Sequence, residues 1–329
     1  METPPDWTRE KLLGLARAFQ EARLLLTGAE LNLFTRLADK PRTARDLAPE
    51  LQADLRALTI LLDALTAMGL LEKRDQAYQT EASARQLLTS DGASSVLPMI
   101  LHSAHLWERW GELTGKVAPP QADGRSEEDR LRSFIGAMHV AGAPLAARLV
   151  KLIQPGEARH LLDVGGGSGT YTLAFLEACP RMRATLFDRP AVVAMARERM
   201  EQEGMLDRVD LVAGDYNRDA LPTGHDLVFI SAIIHQNTPA QNIELYLKAF
   251  EALDPGGRIV IRDHVLREDR IRPRSGALFA VNMLAADNGG NSYTFEEIRS
   301  GLGRAGFDRI RLMHRDTGMD GLVEAFRPG

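Results

Sequence analysis

Beyond Pro155 the runs HLLDVG, RATLFD, VDLVAGD, DLVFISAII and RIVIRD alternate with segments of helical periodicity. Strands that alternate with helices form βαβ units, and these build a parallel sheet with helices on both faces. Burial on both faces explains why the runs are almost continuously apolar. The closing runs FDRIRLMH and GLVEAF are separated by only a few residues. A parallel pair needs a longer crossover, so the last strand is expected to run antiparallel to its predecessor. The expectation is an α/β fold whose sheet is parallel except at its end.

Such a sheet holds its ligand beyond the carboxyl ends of the strands. The runs end, in order, on Asp163 followed by the loop GGGSG, on Asp188, on Asp215, on His235 and on Asp263. Polar residues that merely mark strand ends would explain one or two of these, and a shared ligand site explains all five. Gly165, Gly167 and Gly169 have the spacing G-x-G-x-G, which lets backbone approach a ligand and aims a helix N-terminus at it. Asp188 lies 23 residues after Gly165, close to the distance expected of a carboxylate that binds ribose hydroxyls. A nicotinamide dinucleotide would want a further glycine where Thr170 stands. Asp215 and the aromatic Tyr216 suit an adenine, one as acceptor for its amino group and the other against its face. Tyr216 alone would read as ordinary packing. The cofactor expected is adenosine-containing.

Residues 8–95 read as helical, with TARDLAPEL and DLRALTILLDALTAMGLL as two short helices and LEKRDQAYQTEASARQLL as a small two-stranded wing. The loop VAPPQADGRSEEDR precedes a helix over about 127–153, opened by a capping box of Ser126 and Asp129 and closed at Pro155-Gly156. Helices 8–37 and 55–71 carry more apolar surface than a module of about 90 residues can bury alone, so a homodimer is expected. A net charge of −5 and pI near 6.0 give no reason to expect nucleic acid or a membrane as partner. A DNA-reading winged helix would have to use DLRALTILLDALTAM, which sets Arg56 against Asp54 and Asp63. The lone cysteine, Cys179, allows no internal disulfide. The N-terminus lacks the apolar core of a signal peptide, and no run reads as long enough to span a membrane, so a cytoplasmic location is expected.

The motifs LLDVGGGSG, ATLFDRPAVV, VAGDY, AIIH and LDPGGRIVIRD together resemble those of class I S-adenosylmethionine-dependent methyltransferases. More narrowly, the chain is similar to small-molecule O-methyltransferases of the caffeic acid and N-acetylserotonin type, including bacterial relatives that tailor aromatic natural products. The resemblance implies a Rossmann-like methyltransferase sheet preceded by an all-helical winged-helix dimerisation domain. It divides the chain into a dimerisation domain over 1–95, a helical linker over 96–155 that contributes to the acceptor pocket, and an S-adenosylmethionine-binding domain over 156–329. It implies that Asp163, Gly165, Gly166, Gly167 and Gly169 contact the methionine portion, Asp188 the ribose, and Gly214, Asp215 and Tyr216 the adenine. Ser231 would touch the cofactor near the sulfonium. His235 falls on the catalytic base and Asp263 on the acidic residue that orients it. Met138, Met283 and Asp287 fall at acceptor positions, although spacing alone reads both methionines as core.

Three departures stand out. Gln236-Asn237 replaces the Asp-Trp of plant members, and Ser292 replaces a second acidic support. Asp287 occupies a neighbouring substrate position. The resemblance implies in-line methyl transfer to a phenolic or enolic oxygen of a small aromatic acceptor, leaving S-adenosylhomocysteine. Methylation at carbon or nitrogen, or binding without catalysis, stays open. Asp188, Asp215 and Asp263 sit on three different strands with other duties, so no metal site is expected.

Overall fold

Seven strands form the sheet of the C-terminal half: β1 (His160–Val164), β2 (Arg183–Asp188), β3 (Val209–Ala213), β4 (His225–Ser231), β5 (Leu253–Asp263), β6 (Asp308–His314) and β7 (Gly321–Phe326). Their order is β6-β7-β5-β4-β1-β2-β3. The first five are mutually parallel, while β7 is antiparallel to both β5 and β6. The short link between the two closing runs therefore has the consequence expected of it. This computed structural model describes residues 6–118, 126–286, 289–315 and 318–329.

The helices on the two faces are α1 (Glu127–Ile153), α2 (Thr170–Ala178), α3 (Pro190–Gln202), α4 (Pro239–Ala252) and α5 (Phe295–Arg304). Side chains alternate between two cores. Leu161, Phe229, Val260 and Leu322 pack with α1, α2 and α3. Leu162, Val164, Val228, Ile230, Ile259 and Ile261 pack with α4 and α5 on the other face. Helix α1 opens with the expected capping box of Ser126 and Asp129, and its first-turn acids Glu127, Glu128 and Asp129 favour the positive helix end. Its length and composition would let it cross a membrane, which corrects the sequence reading that no run is long enough to do so. Here Ala146, Leu149, Val150 and Ile153 turn its C-terminal half into the core.

Contacts divide the chain into two compact units, Met1–Ala122 with Asp269–Asn282, and Asp123–Glu268 with Met283–Gly329. In the first, Thr43 caps Ala44–Leu51 through a capping box and Asp54 caps Leu55–Ala67. The hairpin Leu71–Arg74 and Ala77–Thr80 gains a third strand, Arg42–Thr43, so this module is not all-helical. Buried Asp63 joins helix to hairpin, accepting from Lys73 Nζ at 2.6 Å and Tyr78 Oη at 2.7 Å.

Two strand ends differ from the sequence reading. β3 stops at Ala213, two residues before Asp215. β4 stops at Ser231 rather than His235. Ala232 takes a left-handed conformation, φ +57°, and His235 lies in a 3₁₀ turn, Ile234–Gln236. Ile233 and Ile234 leave the sheet to enter the core below it.

Candidate active site

The strand order reverses between β1 and β4, and there the carboxyl ends of β1, β2, β4 and β5 and their loops form the ligand edge of the sheet. Asp163, on β1, points toward α2 and accepts from Thr172 Oγ1 at 2.6 Å. Burial pushes its pKa up to about 6. The glycines of the next loop, together with Gly214 after β3, divide by what surrounds them. An added Cβ at Gly165, Gly166, Gly169 or Gly214 would collide with Ile233, Leu186, Met200 or Phe187. Gly167, at φ +58°, has nothing within 4 Å of that position. Close packing thus explains four of these glycines, and open space beside the loop explains the fifth.

Asp188 closes β2. Its Oδ2 accepts from Gly167 N–H at 2.8 Å and its Oδ1 from Arg189 N–H at 2.7 Å. Burial raises its pKa even against these two donors. Each oxygen keeps acceptor capacity for a hydroxyl. Gly214 N–H donates to Asp188 O at 2.9 Å, which brings the start of the next loop alongside. In that loop Asp215 Oδ1 accepts from Asn217 N–H at 2.9 Å, and Tyr216 lies half-buried against the core.

His235 and Asp263 are both buried, at 6% and 1% exposure. His235 Nδ1 stands 2.9 and 3.0 Å from the two carboxylate oxygens, so it donates there. Backbone N–H groups of His264 and His235 complete the carboxylate's shell at 2.7 and 3.4 Å. Burial works against the charge of Asp263, but the His235 charge and hydrogen bond, with His264, hold its pKa below the ordinary value. Burial drives the neighbouring His264 down to about 4, so that ring is neutral. Asn291 N–H donates to His235 O at 2.9 Å and fixes the turn. The Asn237 that replaces an aromatic is itself buried, donating to Asn242 Oδ1 at 3.1 Å. Ser292, next in sequence to Asn291, is fully buried.

Of the acceptor residues expected, Met138 is 47% exposed on α1 and Met283 is buried in the last turn of Arg274–Ala285. Asp287 lies outside the described residues. Among the described residues no three His, Cys, Asp or Glu side chains gather as a metal site would.

The sequence reading missed one cluster on the other face of the sheet. Arg262, adjacent to Asp263 on β5, donates from Nη1 to Ser231 Oγ at 3.2 Å. Its guanidinium lies 5.3 Å from the ring centroid of Tyr171 and 3.8 Å from Asp320. His139 of α1 ties the loop down, with Nδ1 2.9 Å from Thr170 Oγ1 and 2.6 Å from Arg199 Nη1. A charged residue ending the apolar run RIVIRD was the available signal for Arg262.

The arrangement fits an adenosine cofactor with an amino-acid arm. Gly167 offers an open cradle, Asp188 offers acceptors next to it, and a buried hydroxyl at Tyr171 has no partner of normal geometry. Beside the cradle a histidine is held so that Nε2 is the ring atom able to take a proton.

The family model of the O-methyltransferase domain matches residues 117–308, and that of the O-methyltransferase dimerisation domain matches residues 13–90. The 3-hydroxy-5-methyl-1-naphthoate 3-O-methyltransferase of Streptomyces sahachiroi is 32% identical, over 98% of this chain and 96% of that protein. A crystal structure of an O-methyltransferase family 2 protein from Planctomyces limnophilus in complex with apigenin is 29% identical, with a TM-score of 0.83, covering 98% of this chain and 97% of that one. PigF, solved with SAH, is 28% identical with a TM-score of 0.58, covering 98% and 100% of the two chains.

Proposed function

This chain belongs to the S-adenosylmethionine-dependent O-methyltransferases that carry a dimerisation domain, and we propose that it methylates a phenolic or enolic hydroxyl of a small aromatic acceptor, with His235 as general base. The observation that carries this reading is the buried His235–Asp263 pair at the ligand edge. Relatives named for a hydroxynaphthoate and solved with apigenin support an aromatic acceptor.

A phenol, with a pKa of about 10, is a weak nucleophile at neutral pH. Asp263 fixes the His235 tautomer through Nδ1, which leaves Nε2 to take the acceptor's proton, and the carboxylate stabilises the imidazolium that results. A base so placed contributes typically 10²–10⁴-fold in rate. The cofactor supplies an electrophilic methyl group on a sulfonium. On this reading Asp188 holds the ribose, Asp215 and Tyr216 the adenine, and the loop of Gly165, Gly166, Gly167 and Gly169 the methionine portion. Met138 and Met283 face the acceptor, and burial of His235 and Asp263 excludes water from the proton transfer.

The dimerisation domain and the exposed Leu12, Leu15 and Phe19 on the helix Arg9–Glu30 support a homodimer built on the N-terminal residues.

Labelled S-adenosylmethionine and a panel of phenols, catechols and polyketide-like aromatics test the reaction, with mass shifts identifying the modified atom. In that assay His235→Gln should lower turnover by about 10²-fold or more while S-adenosylhomocysteine affinity stays nearly intact. Full turnover in His235→Gln, or joint loss of cofactor binding and melting temperature, would refute the role given to His235.

A further inference from the structure

Asp263 and the histidine it orients account for one face of β5 at the ligand edge. The residue before it, Arg262, points to the opposite face, where it is only 6% exposed. A guanidinium buried to this degree normally sits in a bidentate or densely hydrogen-bonded pair. Arg262 does not. Asp320 approaches no nearer than 3.8 Å and also stands 4.0 Å from Arg148. Arg262 donates to the neutral Ser231 hydroxyl, and its buried Nε has no hydrogen-bond partner. Against the guanidinium lies Tyr171, whose buried hydroxyl also lacks a partner of normal geometry. That hydroxyl is 3.3 Å from where a Cβ on Gly142 of α1 would stand.

Two orphaned donors and one polar hydroxyl thus converge beside Ser231, the last residue of β4, and Tyr171, the second residue of α2 after the glycine loop. Charge and position identify the missing group. The cluster is cationic and planar-forked, the arrangement that matches a carboxylate. Asp188 and Asp215 place the nucleoside on the β2 and β3 side, so the other end of the cofactor extends across β1 toward β4 and β5. The sulfonium is itself a cation and gains nothing from a guanidinium. We infer that Arg262, Tyr171 and Ser231 hold the α-carboxylate of the cofactor's methionine arm. This rests on the cofactor reading above and adds to it the residues that recognise the arm.

The alternative is a structural tie between β4, β5 and β7, and two ligands separate the possibilities. S-adenosylhomocysteine carries the carboxylate, whereas 5′-deoxy-5′-methylthioadenosine is the same nucleoside thioether without the amino-acid arm. Calorimetry on the full chain should find that Arg262→Met weakens S-adenosylhomocysteine about tenfold or more, and Tyr171→Phe by about threefold or more. Affinity for methylthioadenosine should stay within about twofold of wild type in both. Tyr171→Phe deletes a hydroxyl that lacks a partner of normal geometry, so its melting temperature should change little. If the ratio of the two affinities in these variants equals that of wild type, the inference is overturned. Should Arg262→Met fail to fold, Arg262→Lys, which keeps the charge and loses the fork, and Tyr171→Phe decide by the same ratio. A wild-type chain that binds neither compound would instead sink the cofactor reading, and this inference with it.

Discussion

Asp263→Asn isolates what the carboxylate does for His235, because the amide has nearly the same shape. In the wild type both oxygens face His235 Nδ1, at 2.9 and 3.0 Å, and each also faces a backbone N–H. An amide offers one acceptor and one donor to that shell. Whichever way it turns, its NH₂ meets either a backbone N–H, leaving a buried donor unsatisfied at about 1–3 kcal/mol, or Nδ1, which then carries no proton and selects the unproductive tautomer. The larger effect is electrostatic. The imidazolium formed as the proton is taken loses a carboxylate charge about 4 Å away, worth roughly 4 kcal/mol at an effective dielectric constant of about 20. At about 1.4 kcal/mol per tenfold, that caps the loss near 10³. Because the amide dipole recovers part of it, turnover should fall about 10²-fold. Methyl transfer to a phenolic acceptor, measured from pH 6 to 10 alongside S-adenosylhomocysteine affinity, tests this. The deficit should narrow toward pH 10, where the phenol ionises unaided, and affinity should change less than about threefold. A deficit constant across the whole range would mean that Asp263 merely positions the ring, and wild-type turnover in the variant would end the case for His235 as base.

Three further outcomes follow from the geometry. Asp163 has a folded pKa of about 6 against an ordinary 3.8, so the folded state holds the proton more tightly than the unfolded chain. Stability without cofactor should fall by up to about 3 kcal/mol as pH rises from about 4 to about 6 and be flat above. Asp163→Asn, which keeps an acceptor for Thr172, should remove that slope in thermal melts, and a slope that persists would assign it elsewhere. Gly167→Ala should cost only about 1 kcal/mol of stability for its left-handed backbone, yet lower S-adenosylhomocysteine affinity by about tenfold or more as the methyl enters the open cradle; unaltered affinity in calorimetry would move the cofactor off this loop. Phe19→Glu, at an exposed position of the first helix, should convert a dimer to a monomer in sedimentation at micromolar concentration, and a wild type already monomeric there would refute the assembly.

The parallel strands were legible because burial on both faces writes an apolar run, and α1 because Ser126, Asp129 and Pro155 punctuate it. The end of β4 was not. Ile233 and Ile234 are as apolar as strand residues, and the left-handed turn falls on Ala232, a residue that carries no turn signal. The pairing of His235 with Asp263 could be expected from two adjacent strand ends. The charge of Arg262 shows in RIVIRD, but its cluster does not, because Ser231, Tyr171 and Asp320 reach it from elements distant in sequence. In the N-terminal unit the strand Arg42–Thr43 is too short to show an alternating pattern, and the membership of Asp269–Asn282 arises from contacts distant in sequence.

The antiparallel pairing that sets Gly321 opposite Asp263 and Leu322 opposite Arg262 has an evolutionary meaning. Two consecutive residues of one strand serve the two faces of the sheet, the base's partner on one and the Arg262 cluster on the other. Point substitutions can therefore retune either face separately, so a lineage is free to change its acceptor while keeping its methyl donor. A one-residue insertion or deletion within β5 has no such freedom. It exchanges the faces of both residues at once, so lengths in this strand should be far more resistant to drift than the identities of the residues around the acceptor.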